Sequence, residues 1–181
     1  MSVLKDKRIA VLVMLLMIIS GTLIGSYNTL ADMRKEALAV FSVGIHGDGI
    51  GIQGDLNERE SIAYNMVIVA RRYLQEDHTL IVNVLEARNE LLAAGSIRAM
   101  RAADQKLETA VKDLCDVLNG MSLSQQDSRY PSSLYSDFRS RGDTISHDPY
   151  NAGATAFNSI LRRFPAGFFA SLTGIKPVEL F

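Results

Sequence analysis

The sequence has no tryptophan, a single cysteine, only three histidines and no surplus of either charge. Each shortage excludes something. One cysteine, Cys115, cannot close an internal disulfide or supply a CxxC metal site. Its neighbours Leu114 and Val117 are apolar, so it reads as a small core hydrophobe and not as a reactive thiol. With 19 basic and 20 acidic residues the formal net charge is −1. Nothing in that balance suggests a nucleic-acid binder, which needs a basic face to offset phosphate charge. No run of like charges is long enough for a disordered tail. The histidines, His46, His78 and His147, lie in strongly polar or glycine-rich surroundings. There is no HExxH and no pair of Glu-x-x-His motifs, so zinc-protease and di-iron bundle chemistry are disfavoured. No segment alternates apolar and polar residues for long, so no sheet is expected.

The most prominent feature present is an N-terminal apolar run. Residues 9–24 read IAVLVMLLMIISGTLI, and no charge occurs from Ile9 to Ala31, a span of 23 residues. At about 1.5 Å per residue such a helix crosses roughly 30 Å of hydrocarbon. Lys5, Lys7 and Arg8 precede it. A cleaved signal peptide would look similar, with Thr29-Leu30-Ala31 as a weak processing site. Helical spacing resumes directly after Gly25, which favours an uncleaved anchor over residues 1–26 with the bilayer as partner of residues 9–24. The basic flank favours a cytoplasmic N-terminus with the remainder outside.

Residues 27–181 have the length of one domain. Apolar steps of three and four predict a helix over 27–41, a long helical stretch over about 56–94 and a helix over 96–121. Ser96 is the expected N-cap of the last of these. There Met100, Ala103, Leu107, Ala110, Leu114, Val117 and Met121 form a heptad seam, with Arg101, Asp104, Lys106, Glu108, Lys112 and Asp113 on a solvated face. Residues 123–133 contain Pro131 and read as a loop, followed by a short helix near 134–141. Tyr150, Ala154, Phe157, Leu161 and Phe164 mark a last helix ending near Pro165. Residues 166–181 read as an irregular tail. The fold class is therefore all-α: a single transmembrane helix followed by an antiparallel bundle of three or four helices.

Between the first two helices lies a glycine-rich insert, residues 44–54, with five glycines. A connector is the preferred reading. No strand precedes it and no GKS or GKT follows, against a phosphate cradle. His46, Asp48 and Asp55 match no calcium-loop spacing. Asn65, Asn151 and Asn158 fall inside helical segments, where asparagine is a poor former. Asn151 and Asn158 each follow an aromatic of the apolar stripe. They are expected to set register by bonding to a neighbouring helix, or else to line a polar groove for a ligand. The doublets Arg71-Arg72 and Arg162-Arg163 read as surface charge, with lipid head groups as the alternative.

These residues carry a resemblance to the LemA family. It runs through Tyr27-Asn28-x-Leu30 and Arg34, then Leu56, Arg59, Ile62, Asn65, Val67, Tyr73 and Glu76. Glu86-Ala87-Arg88 follows, and the end of the chain gives Tyr130-Pro131, Tyr150-Asn151, Phe157-Asn158, Phe164-Pro165 and Gly174-Ile175-Lys176. The resemblance implies an antiparallel helical bundle behind one membrane helix in a bacterial envelope. It implies no activity, cofactor or catalytic residue, because the family has no agreed biochemical role. The sequence departs from the family's pattern at the glycine-rich insert, at Tyr64-Asn65, where the family has Pro-Asn, and in the short approach to Tyr150 through Pro149. The expectation is a membrane-anchored, non-catalytic interaction or scaffold module with a protein partner and no nucleic acid. The alternatives are a homo-oligomer paired through the heptad seam and, less favoured, a metal binder or enzyme.

Overall fold

The computed structural model describes residues 7–45, 47 and 51–181. Among them are seven helices and no strand: α1 (Lys7–Val43), α2 (Ile52–Ala70), α3 (Thr79–Ala93), α4 (Ile97–Gly120), α5 (Tyr130–His147), α6 (Tyr150–Ile160) and α7 (Ala166–Thr173). They belong to two compact units. One holds the chain up to Leu38 with 152–178, the other 39–151 with 179–181. Helices α1 and α6 give residues to both.

In the larger unit α2 packs against α3, α4 and α5, and α4 packs against α3 and α5. Helices successive in the chain pair antiparallel, whereas α2 and α4 run parallel, with Arg59 beside Asp104. Glu60 meets Arg88, Glu90 meets Lys106, and Asn119 meets Ser132. Helix α2 explains why this closes into a bundle. Ile52, Leu56, Ala63, Met66 and Ala70 fall on one stripe and are fully buried. Leu107, Val111, Leu114 and Leu118 do the same on α4, and Phe138 on α5. Each of these side chains larger than alanine contributes about 1.5–3 kcal/mol on leaving water.

Several boundaries differ from the sequence reading. The stretch 56–94 is two helices. Helix α2 ends at Ala70, and His78 caps α3 by accepting a hydrogen bond from the Leu80 amide at its Nδ1 (3.3 Å). The polar residues 75–78 are the break, since they give a continuing helix nothing to bury. Helix α5 runs from Tyr130 to His147 and so contains Pro131. Pro131 sits in the first turn, where its missing N–H costs nothing. The insert is shorter than its glycine content suggested, because α2 begins at Ile52. Gly51, the N-cap of α2, is required by crowding: a Cβ there would lie 2.6 Å from the Phe41 carbonyl oxygen and 2.7 Å from that of Val40.

The smaller unit contains α1 up to Leu38, most of α6, and α7. Helix α1 is one uninterrupted element of 37 residues, and it is long and apolar enough to cross a membrane. Side chains from Val11 to Ile19 are exposed. Residues 166–173 were expected to be irregular, yet they form α7. Gly174 ends it in the left-handed region, φ 74°, where a residue with a Cβ is strained. The tail after Gly174 is neither helix nor strand. Leu30, Ala154, Phe157, Ala170 and Val178 are this unit's buried apolar residues.

Candidate interaction site

The polar residues of the larger unit fall into two sets: those that satisfy one another inside it and those that remain open on its surface. Arg59 is the centre of the first set. It takes a stripe position on α2 between Leu56 and Ala63, and it is 1% exposed. Its Nε donates to Asp104 Oδ1 (2.7 Å) and its Nη1 to the Phe138 carbonyl (3.1 Å). Its Nη2 reaches Glu108 Oε2 at 3.4 Å. The guanidinium carbon stands 3.8 Å from the centroid of the Phe138 ring. Burial raises the Asp104 carboxyl above its ordinary value, against the opposing pull of Arg59, and Glu108 adds to the rise. The geometry has room for arginine because Gly142 faces it: a Cβ there would lie 2.2 Å from Arg59 Nη1.

Other groups on α2 are similarly spent. Buried Asp55 accepts from Arg141 Nη1 (3.2 Å), and Glu60 pairs with Arg88. At the far end Asp127 accepts from Arg72 Nη1 and from the Tyr73 hydroxyl, both at 2.7 Å. The hydrogen bond from Tyr73 comes first among the causes that hold the Asp127 carboxyl below its ordinary range, and Arg72 adds to it.

The open set lies between α4 and α5. A cavity of about 500 Å³ there is bounded by Cys115, Asn119, Tyr135, Ser136 and Arg139 among others. Ser132, Ser136 and Ser140 step by four along the α5 wall. The groove meets a second hollow of about 240 Å³ over Arg59, Asp104 and Gly142, and the two share Arg139 and Asp143. Asn119 donates to Cys115 Sγ and accepts from Ser132 Oγ. The exposed side chains of Ser136, Arg139 and Ser140 make no hydrogen bond or ion pair among the described residues. Cys115 is 2% exposed, and burial pushes its thiol up, which suits packing. The groove can thus offer one unpaired guanidinium and a row of hydroxyls to a polar surface.

The three asparagines separate. Asn65 is exposed on α2 and makes no side-chain hydrogen bond among the described residues. Asn151 and Asn158 are half-buried, and each binds the C-terminal tail where a neighbouring helix was expected. In the larger unit Asn151 Nδ2 donates to the Phe181 carbonyl (2.8 Å), and the Phe181 amide donates to Asn151 Oδ1 (2.9 Å). In the smaller unit Asn158 makes the same pair of bonds with Val178, both 2.8 Å. Each amide stands in for a peptide unit, so both donor and acceptor are used. One N–H and one oxygen lone pair of each amide remain beyond these bonds.

Of the metal reading of the insert, His46 and Asp48 lie outside the described residues, and Asp55 is taken by Arg141. Among the described residues no three His, Cys, Asp or Glu side chains converge in a way that could hold an ion. Sequence reasoning placed Asp104 on the solvated face and passed over Arg59 as a core residue. The signal was present: 52, 56, 59, 63, 66 and 70 step 4-3-4-3-4, and 104, 107, 111, 114 and 118 step 3-4-3-4. A charged residue on each of two apolar stripes is a buried pair in waiting.

A model of the LemA family matches residues 50–181. No curated protein and no solved structure matches the chain.

Proposed function

The chain belongs to the LemA family, and from that premise we propose that it is a membrane-tethered, non-catalytic interaction module. In this reading α1 anchors the chain in a bacterial envelope membrane, with the N-terminus cytoplasmic and the bundle on the other side. The groove between α4 and α5 receives a segment of a partner protein. One observation carries the assignment: buried polar groups of the bundle are consumed by one another, whereas Ser136, Arg139 and Ser140 face the groove unengaged. A partner carboxylate against Arg139 and main-chain groups against the serines would complete it. The heptad residues Ala103, Leu107, Ala110 and Leu114 are buried in the bundle itself. They support the fold, and pairing of chains through that seam is the weaker reading.

The test is site-specific photo-cross-linking in cells, with the reactive group in place of Ser136 on the full chain and, as a control, in place of exposed Asn89 on α3. The reading expects a discrete adduct from Ser136, none from Asn89, and loss of the adduct when Arg139→Glu is added without a change in thermal midpoint. Equal labelling from both positions, or none from Ser136, would contradict it.

A further inference from the structure

One face of α7, with Phe164 just ahead of it, leaves large apolar side chains uncovered. Phe164, Phe168 and Leu172 recur at four-residue steps and are 88%, 55% and 59% exposed. A cluster of this kind marks a surface that meets something apolar. Charge frames it. Arg162 and Arg163 are exposed just before it and Lys176 just after, and no acidic residue occurs from Asn158 to Lys176.

The other face of α7 shows where this cluster sits. Pro165, Ala166 and Phe169, with Ile160, bound an apolar cavity of about 400 Å³ whose other wall is residues 25–33 of α1. Arg34 Nε donates to the Lys176 carbonyl (3.0 Å), so the far end of α7 is also tied to α1. All these groups belong to the smaller unit. The uncharged run of α1 starts at Ile9 and ends at Ala31. About 20 helical residues cross the hydrocarbon, so α1 leaves it near residues 25–31. The wall that holds α7 is therefore at head-group depth. There an apolar face reaches the acyl boundary and arginines meet phosphates.

We propose that α7, with Arg162 and Arg163, is a second membrane contact: an interfacial helix that seats Phe164, Phe168 and Leu172 in a bilayer carrying anionic lipid. The inference rests on α1 being a membrane anchor. Continuity with α1 and the basic flank together select lipid over a second copy or a protein partner.

The chain has no tryptophan, so any one introduced is a sole reporter. Full-length Leu16→Trp, Phe164→Trp, Phe168→Trp and Leu92→Trp are reconstituted separately in phosphatidylcholine–phosphatidylglycerol vesicles brominated high or low on the acyl chains. The Phe164→Trp and Phe168→Trp reporters are expected to shift to the blue and to lose most of their emission to the shallow bromines. Leu16→Trp should be quenched by the deep bromines and Leu92→Trp, on α3, by neither. Adding Arg162→Gln and Arg163→Gln should cut the shallow quenching to the level seen in phosphatidylcholine alone. Unquenched reporters at 164 and 168 beside a quenched Leu16→Trp overturn the interfacial helix and leave the anchor standing. Blue-shifted but unquenched reporters mean that protein covers the face, which also overturns it. Indifference to phosphatidylglycerol removes the anionic-lipid part. An unquenched Leu16→Trp defeats the anchor and this inference together.

Discussion

Arg59 on α2 and Asp104 on α4 form an ion pair with Nε and Oδ1 2.7 Å apart, and their side chains are 1% and 11% exposed. Removing one partner strands the other charge inside the bundle. Arg59→Ala is expected to cost about 3–5 kcal/mol, read by chemical denaturation followed by helical circular dichroism. Arg59→Lys should restore little, because an ammonium cannot reach Asp104, the Phe138 carbonyl and Glu108 together. Arg59→Met with Asp104→Leu should recover most of the loss. A single Arg59→Ala variant as stable as the parent would mean that the pair is solvated.

Two glycines predict opposite signs. In α6 nothing lies within 4 Å of a Cβ built on Gly153. Gly153→Ala is therefore expected to stabilise by about 0.4–1 kcal/mol. In α5 the same change at Gly142 drives a methyl group to 2.2 Å from Arg59 Nη1. Arg59 cannot swing away without giving up its buried bonds. The overpacking penalty of about 1–3 kcal/mol should outweigh the helix-propensity gain of about 1 kcal/mol. Thermal midpoints of the two variants decide, and a stabilising Gly142→Ala would contradict the close approach.

Asn158 holds both backbone groups of Val178, which is 3% exposed. Asn158→Ala leaves those groups unpaired and is expected to cost about 1–3 kcal/mol. Asn158→Asp should not rescue it. The carboxylate still accepts from the Val178 amide, but it turns an oxygen toward the Val178 carbonyl where a donor stood. Retained stability in the aspartate variant would show that the donor half of the clamp is idle.

Acid titration should reveal two carboxylates acting in opposite senses. Asp127 is held below its ordinary 3.8, chiefly by the Tyr73 hydroxyl. In the window just below 3.8 the unfolded chain then binds more protons than the folded one, and stability falls as pH falls. Asp104 is raised above 3.8, chiefly by burial. Just above 3.8 the folded chain holds the extra proton, so this group's share of stability falls as pH rises. Asp127→Asn should flatten the acid limb of the midpoint-against-pH curve below about pH 4. Asp104→Asn should flatten the opposing trend above it. An acid limb unchanged in Asp127→Asn would show that Tyr73 does not depress this carboxyl.

Much of this architecture was legible because period and punctuation agree. Ala103, Leu107, Ala110 and Leu114 are buried as their spacing required, and Ser96 Oγ accepts from the Ala99 amide as an N-cap. The seam drifts, however: Val117 is 40% exposed and Leu118 takes its place. A straight helix turns 3.6 residues per turn, and a strict 3.5 repeat walks off its buried face. Arg59 and Asp104 were missed because charge was read as solvent-facing, although each lies in step with apolar neighbours. The asparagine clamps were out of reach for another reason. Their partners are backbone groups of a tail that no periodic pattern describes, and nothing in the spacing of Asn151 and Asn158 names Val178 or Phe181.

Membrane tethering of the bundle requires α1 to be both membrane span and part of the fold. Helix α1 continues without a break from Lys7 to Val43, and it carries Leu30 and Phe41 as buried residues. Processing after Ala31 would sever it beside Leu30. The direct test is alkaline carbonate extraction of membranes from cells expressing the full chain, with the intact mass determined for the recovered protein. An uncleaved chain retained in the pellet is the expected result. A soluble product beginning near Tyr27 or Asp32 would contradict it.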